Sequence, residues 1–213
     1  MGKTVELTVE QEAVIKNYLR LKGLDYVDFT AEIYDHILSD IEQLVAAKEM
    51  SFQDAFYQVQ KKWNHHLAYS ESVFIGLAFS APKLVLKKIR SVAIKNYILV
   101  FALYFGVLIG SFRMDSFFSP SLYVVDSIVI LTVLGMLYLQ YQLKKTHLKT
   151  SYGFLMKAQK LAILVPVFAG IILKTGINTI GVSLLVLGLY SVFFQGYLYR
   201  KHQQTIVKNT KIL

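Results

Sequence analysis

The sequence predicts an all-α fold: a small cytoplasmic three-helix N-terminal domain, an interfacial helix, and a four-helix transmembrane bundle. Three observations lead there. Apolar residues fill 54% of the 213 positions and charged residues only 17%, more apolar than a soluble domain tolerates. Charge is segregated: residues 1–71 carry 7 Lys/Arg against 12 Asp/Glu, whereas residues 72–213 carry 16 against 2. Within the second part, four runs reach the roughly 20 apolar residues that a helix needs to cross a bilayer. The net charge of +9 would ordinarily suggest nucleic acid. Here, however, the cations lie between apolar runs, which suits phospholipid headgroups and sets nucleic acid aside. Zero cysteine excludes disulfides and thiolate metal sites. No cleavable leader is evident in the first 70 residues, so the head is expected to stay where it is made.

Residues 1–70 read as the acidic three-helix domain. Thr8 followed by Gln11 is a capping-box pattern; Val14, Tyr18 and Leu21 share a face of the first helix, and Gly23 stops it. Thr30 or Asp28 is placed to cap the second helix. Its buried stripe is Ile33, Ile37, Ile41 and Leu44, joined by Tyr34, Leu38 and Val45. Ser51 with Asp54 opens the third, where Phe52, Phe56, Val59 and Trp63 recur at three and four residues.

The second helix contains "AEIYDHILSDIE", residues 31–42, a cluster of acids with one histidine. Glu32, His36 and Asp40 fall at i, i+4 and i+8 on one row, and Asp35 and Glu42 point elsewhere. A Glu/His pair one turn apart can ligate a divalent ion, but i and i+8 are about 12 Å apart along a helix, so a second helix would have to help. His65 and His66 are the nitrogen candidates. The preferred reading is a solvated acidic face, Glu32, Asp35, His36 and Asp40, that binds a cytoplasmic protein; metal chemistry is the lesser alternative. No Gly-rich nucleotide loop, serine elbow or HExxH motif occurs, so no catalytic residue, cofactor or resident metal is expected and the chain does not read as an enzyme.

The run "VIKNYLRLKGLDYVDFTAEIYDHILSDIEQLVAAKEMSFQDAFYQVQKKW" resembles the HAAS module, a cytoplasmic N-terminal domain of bacterial multi-span membrane proteins often encoded beside PadR-type regulators. The resemblance covers about residues 10–65: a short first helix, an acidic second helix, and a Ser-led third helix containing an acid. The Leu-Gly-Asp/Glu-Pro ending usual in that family is replaced here by "KKWNHH". The resemblance implies an interaction or signalling module and carries over no catalytic residues.

Residues 71–93 read as an interfacial segment. "VFIGLAFSA" (73–81) is too short to span and is expected to dip into the interface or pack on the head, and Pro82 marks a helix start. Val85, Leu86, Ile89, Val92 and Ala93 then share one arc. Lys83, Lys87, Lys88, Arg90 and Lys95 lie opposite, with Leu84 on the basic side, so the apolar arc is expected in lipid and Lys83, Lys87, Lys88 and Arg90 at the membrane surface.

The transmembrane domain covers 94–199, with spans at 94–112, 122–141, 154–173 and 177–199, and a basic tail occupies 200–213. Lys/Arg concentrate before the first span, between the second and third, and in the tail, whereas "SFRMDSFFSPS" and "KTGINT" hold only Arg113 and Lys174. The positive-inside rule places both termini in the cytoplasm, and the HAAS resemblance implies a bacterial inner membrane. In the third span Lys157 and Lys160 can snorkel, Pro166 is expected to kink the helix, and Gly170 to ease packing. Ala102, Gly106 and Gly110 form a small-residue ladder in the first span, suited to another span of the bundle or, as the alternative, to a homodimer. Among the polar residues within the spans, Asp126 and Gln195 stand out, the first reading as interfacial and the second as an interhelical hydrogen-bonding group.

The functional expectation is an integral inner-membrane protein of signalling or regulatory type whose head binds a protein partner. Alternatives are a small transporter or transporter-accessory subunit relying on Asp126 and Gln195, and a membrane-tethered metalloenzyme relying on Glu32, His36 and Asp40.

Overall fold

The computed structural model describes residues 7–73, 75, 79–114 and 121–210, with the side chains of 112–114, 122 and 210 outside the description. Residues 115–120, which hold most of "SFRMDSFFSPS", and Lys211 therefore lie outside the described residues. In chain order the elements are α1 (Val9–Leu21), α2 (Val27–Lys48), α3 (Phe52–Leu67), β1 (Tyr69–Glu71), β2 (Ser80–Pro82), α4 (Lys83–Met114), α5 (Leu122–Lys145), α6 (Ser151–Ala158), a 3-10 turn (Lys160–Ile163), α7 (Leu164–Lys174) and α8 (Asn178–Thr210). The all-α class holds apart from one small ladder. β1 and β2 pair antiparallel, Tyr69 opposite Pro82 and Glu71 opposite Ser80.

The chain forms two compact units. The first, the head, comprises 1–89 with 148–151 and 205–213; the second comprises 90–147 and 152–204.

In the head, local signals place the helices. Thr8 and Gln11 form the complete capping box, and Gly23 (φ +66°) takes the left-handed conformation that ends α1. Ser51 Oγ accepts from the Asp54 N–H at the start of α3. Ile33, Ile37 and Ile41 are buried against Ile15 and Leu19 of α1 and Ala55 and Val59 of α3 as the core of the unit. Each large aliphatic removed from water there contributes about 1.5–3 kcal/mol. Tyr18 ties α1 to α3 through its hydroxyl, which donates to Asn64 Oδ1 at 3.1 Å, and burial pushes its phenol up to about 12.

Two boundaries differ from expectation. The segment before the first span is not a separate interfacial helix: α4 runs unbroken from Lys83 to Met114. No Gly or Pro interrupts residues 83–105, so nothing ends the helix there. Its apolar arc also lies in protein rather than lipid, since Val85, Leu86 and Ile89 are buried in the head and Ala93 in the second unit. In the tail, α8 continues through the basic residues to Thr210.

The second unit contains three helices long and apolar enough to cross a bilayer, Lys83–Ser111, Tyr123–Lys145 and Asn178–Asn209, the first beginning in the head. A fourth crossing exists if α6, the 3-10 turn and α7 count as one span, bent by 47°. The kink expected at Pro166 falls a turn earlier. Pro166 is the third residue of α7, where its missing N–H has no intrahelical partner to lose, while its ring crowds the carbonyl four residues back, at Ala162 in the 3-10 turn. Gly176 (φ +85°) ends α7 and turns the chain into α8. There the close approach is made by two glycines of α8: a Cβ on Gly181 would lie 2.4 Å from Leu173 Cγ, and one on Gly188 would lie 2.9 Å from Pro166 Cβ. Gly170 packs against Val129 of α5, as expected of a small residue at that position.

Candidate functional site

The head is closed by a clasp whose partners lie far apart in sequence. The chain runs beside itself at Tyr26 and Lys149, and the first N–H of α2, that of Val27, donates to Lys149 O at 2.9 Å. In return the first N–H of α6, that of Ser151, donates to Asp28 Oδ1 at 3.1 Å, and Ser151 Oγ donates to the same carboxylate. The first N–H of α2 is thus satisfied by the chain just before α6, and the first N–H of α6 by a side chain of α2. Asp28 is 3% exposed and is also reached by Lys88 Nζ at 2.9 Å, whose ammonium lies 4.7 Å from the Phe29 ring centroid. Lys149 pairs with Asp25. These contacts correct the cap assignment. Asp28 serves α6 rather than α2, and Thr30 Oγ1 donates to the Tyr26 carbonyl at 2.8 Å. Lys88, expected at lipid headgroups, is held by Asp28, and Lys83 Nζ lies 3.5 Å from His65 Nδ1; Lys87 and Arg90 are exposed.

The acidic face of α2 divides. Glu32, Asp35 and His36 are exposed. Asp40 is committed to α3: Lys62 Nζ donates to it at 2.8 Å and Trp63 Nε1 at 3.1 Å. Burial pushes its carboxyl up, but these hydrogen bonds, with the charges of Lys62 and His36, outweigh that and hold it below the ordinary aspartate value. His36 stacks on Trp63, centroids 6.4 Å apart, and His66 meets the other side of the α2–α3 contact through the same indole at 6.0 Å. Trp63 therefore occupies the position that a shared ion would need, and no group of three His, Asp or Glu able to hold a metal occurs among the described residues.

Beside Asp35 lies a groove of about 610 Å³ on α1 and α2. Leu19, Leu24 and Val27 form its apolar part, and Lys16, Arg20 and Asp35 contribute charge. Tyr34 also lines it. Burial, then hydrogen bonding to the Glu12 carboxylate beside it, push the Tyr34 phenol up.

The second unit contains a different kind of site. A cavity of about 210 Å³ lies beside the break in α6–α7, lined among others by Asn96, Gln159, Tyr190 and Gln195. Asn96 Oδ1 accepts from the Tyr190 hydroxyl at 2.8 Å. Gln195, 1% exposed, accepts through Oε1 from Gln140 Nε2 at 3.2 Å, and Gln140 Nε2 also donates to Met156 O at 3.1 Å. Gln195 is thus the interhelical residue expected, while its own Nε2 has no partner among the described residues. Asp126 lies apart from this cavity and pairs with Lys174 at 3.0 Å, both half-exposed. The ladder Ala102, Gly106 and Gly110 is exposed, and no described atom outside α4 lies within 4 Å of a Cβ built on either glycine.

Sequence reading missed Asn96, Gln140 and Tyr190 and the clasp. Amides near the same ends of three spans were a readable signal for the first group. For Asp28 and Ser151, 123 residues apart, no local signal exists.

No protein-family model matches this sequence, and neither curated proteins nor solved structures show a match to it. The chain is an all-α protein with the three to four apolar helices of an integral membrane protein.

Proposed function

We propose that this chain is a multi-span regulatory protein of a bacterial inner membrane, with both termini in the cytoplasm, whose head binds a cytoplasmic protein. The observation that carries the reading is the groove bounded by α1, α2 and Asn209, where an apolar floor is combined with charged groups and the Tyr34 hydroxyl. Such a surface suits a partner side chain that is apolar with a polar end. Exposed Glu32 and Asp35 flank it on α2 and make no ion pair among the described residues, whereas Asp25, Asp28 and Asp40 are used internally. The HAAS resemblance supports a docking role. Orientation is supported by the basic connections and by the inclusion of 148–151 and 205–210 in one unit with the head.

The test is site-specific photocrosslinking in cells, from Ala31 in the groove and from exposed Gln53 on α3. The expected result is a discrete protein adduct from Ala31, absent from Gln53, and weakened about tenfold by Asp35→Lys. No adduct, or the same adducts from both positions, overturns the proposal.

The polar cavity beside the bent third span favours a second reading, a small transporter, since broken helices commonly build substrate sites. It predicts that proteoliposomes admit some small neutral solute faster than vesicles containing Ala162→Phe, which fills the cavity. Equal permeability across a panel of such solutes excludes it.

A further inference from the structure

We infer that the cavity beside the break in the third span is a binding site for a neutral ester or amide carbonyl carried on an apolar body, with Gln195 Nε2 as the donor. The inference does not depend on which reading of function holds.

The lining sets the chemistry. No Asp, Glu, Lys, Arg or His contributes to the cavity, so a charged ligand would find no countercharge in a setting where an unpaired charge is costly. Val100, Ala162, Val165 and Phe194 supply apolar surface. Several polar groups of the lining are engaged: Tyr190 donates to Asn96, and Ser191 Oγ donates to the Leu187 carbonyl at 2.8 Å. Gln195 is the buried one that keeps a donor. Its Oε1 is occupied by Gln140, which fixes which end of the amide is oxygen, and the remaining Nε2 is a buried donor without an acceptor. Leaving such a donor unmet is costly, and a rotation of the amide about its broad terminal torsion, with the Gln140 amide following, would bring it to the space that the residue lines. What completes it is an oxygen acceptor, and a carbonyl is the strong neutral acceptor that an apolar body can carry.

Size narrows the class further. A cavity of about 150 Å³ admits benzene. At about 210 Å³ this one takes a fragment of about ten non-hydrogen atoms, or the ester region of an acyl chain entering from the bilayer. The shared chemistry is one carbonyl on an apolar body, and the two sources are a membrane lipid or a free small molecule.

The experiment uses the full chain in vesicles of phosphatidylglycerol and phosphatidylethanolamine with two photoactivatable probes: phosphatidylglycerol carrying a diazirine beside its sn-2 ester, and a diazirine-bearing N-butylacetamide. Adducts are mapped by mass spectrometry. The expected result is labelling of 94–100, 159–165 and 190–195 by one of the probes, the probe that labels identifying the source. Ala162→Phe, which fills the cavity without touching the amide network, abolishes it, and Gln195→Leu weakens it about threefold to tenfold. Gly106→Ala, at a position facing open space, leaves it unchanged. Competition by unlabelled N-butylacetamide or lipid on the unaltered chain provides the same readout without a substitution. Labelling of these segments that neither excess competitor nor Ala162→Phe reduces, or an absence of labelling with both probes, overturns the site. Wild-type labelling in Gln195→Leu overturns the donor.

Discussion

The head and the second unit treat their polar groups in opposite ways. In the head the network is ionic: Asp25, Asp28 and Asp40 each receive a lysine, and hydrogen bonds from Ser151 and Trp63 complete the carboxylates. In the second unit the network beside the bent span is neutral, made of Asn96, Gln140, Tyr190 and Gln195. The difference follows from the solvent each unit meets. A carboxylate can be half-hydrated at a protein–water surface, whereas among apolar spans an amide offers the same directionality without the desolvation cost of a charge. The second unit leaves one buried donor unmet among the described residues, Gln195 Nε2, and that residue lines a cavity.

The largest expected effect that separates the two networks is at the clasp. Asp28→Ala strips acceptors from the Ser151 N–H and hydroxyl and leaves Lys88 without its carboxylate, at a cost of about 3 kcal/mol, whereas exposed Glu32→Ala changes stability by about 0.5 kcal/mol or less. Trp63, the single tryptophan, reports head unfolding by fluorescence in urea. Equal midpoints for the two variants would mean the clasp does not hold the head together.

Of intermediate size is the contrast between two pairs of glycines. Gly188→Leu drives a side chain into Pro166 and should lower stability by about 1–3 kcal/mol in detergent, while Gly106→Leu, facing open space, should change it little. A matching loss at Gly106 would show that the α4 face is covered after all.

The smallest effect concerns acid. Asp40 has a folded pKa below its unfolded value of about 3.9, so its contribution is present above that pH and is lost as the pH falls through the folded pKa. Between about pH 5 and pH 2 the wild-type head should therefore lose more stability than Asp40→Asn, followed by Trp63 fluorescence. Parallel curves would remove Asp40 from the network.

Much of the helical layout was legible because its causes are local. The Thr8–Gln11 box, the Ile33–Ile37–Ile41 stripe and the Gly23 stop each depend on residues within a turn or two. Pro166 announced the bend, although its ring acts on the preceding turn and so the break falls before it. The acidic run "AEIYDHILSDIE" was legible as a helix face but not in its use, since Asp40 turns to Trp63 and Lys62 while Glu32 and Asp35 stay free of ion pairs among the described residues. The candidate cavity was half legible: Gln195 stood out inside a span, but Asn96, Gln140 and Tyr190 became its neighbours only through helix packing.

The sequence by itself determined where helices form, which stretches are long and apolar enough for a bilayer, and how charge divides between the acidic head and the basic remainder, because hydrophobicity, capping and charge are properties of short windows. Only the tertiary structure decided that Asp28 caps α6, that Gly181 and Gly188 rather than Gly106 and Gly110 make the close helix contact, and that the Gln195 amide is left with a donor to satisfy. Those outcomes depend on groups tens of residues or more apart, and a buried polar group is committed or left unmet by which distant atom the packing brings within about 3 Å.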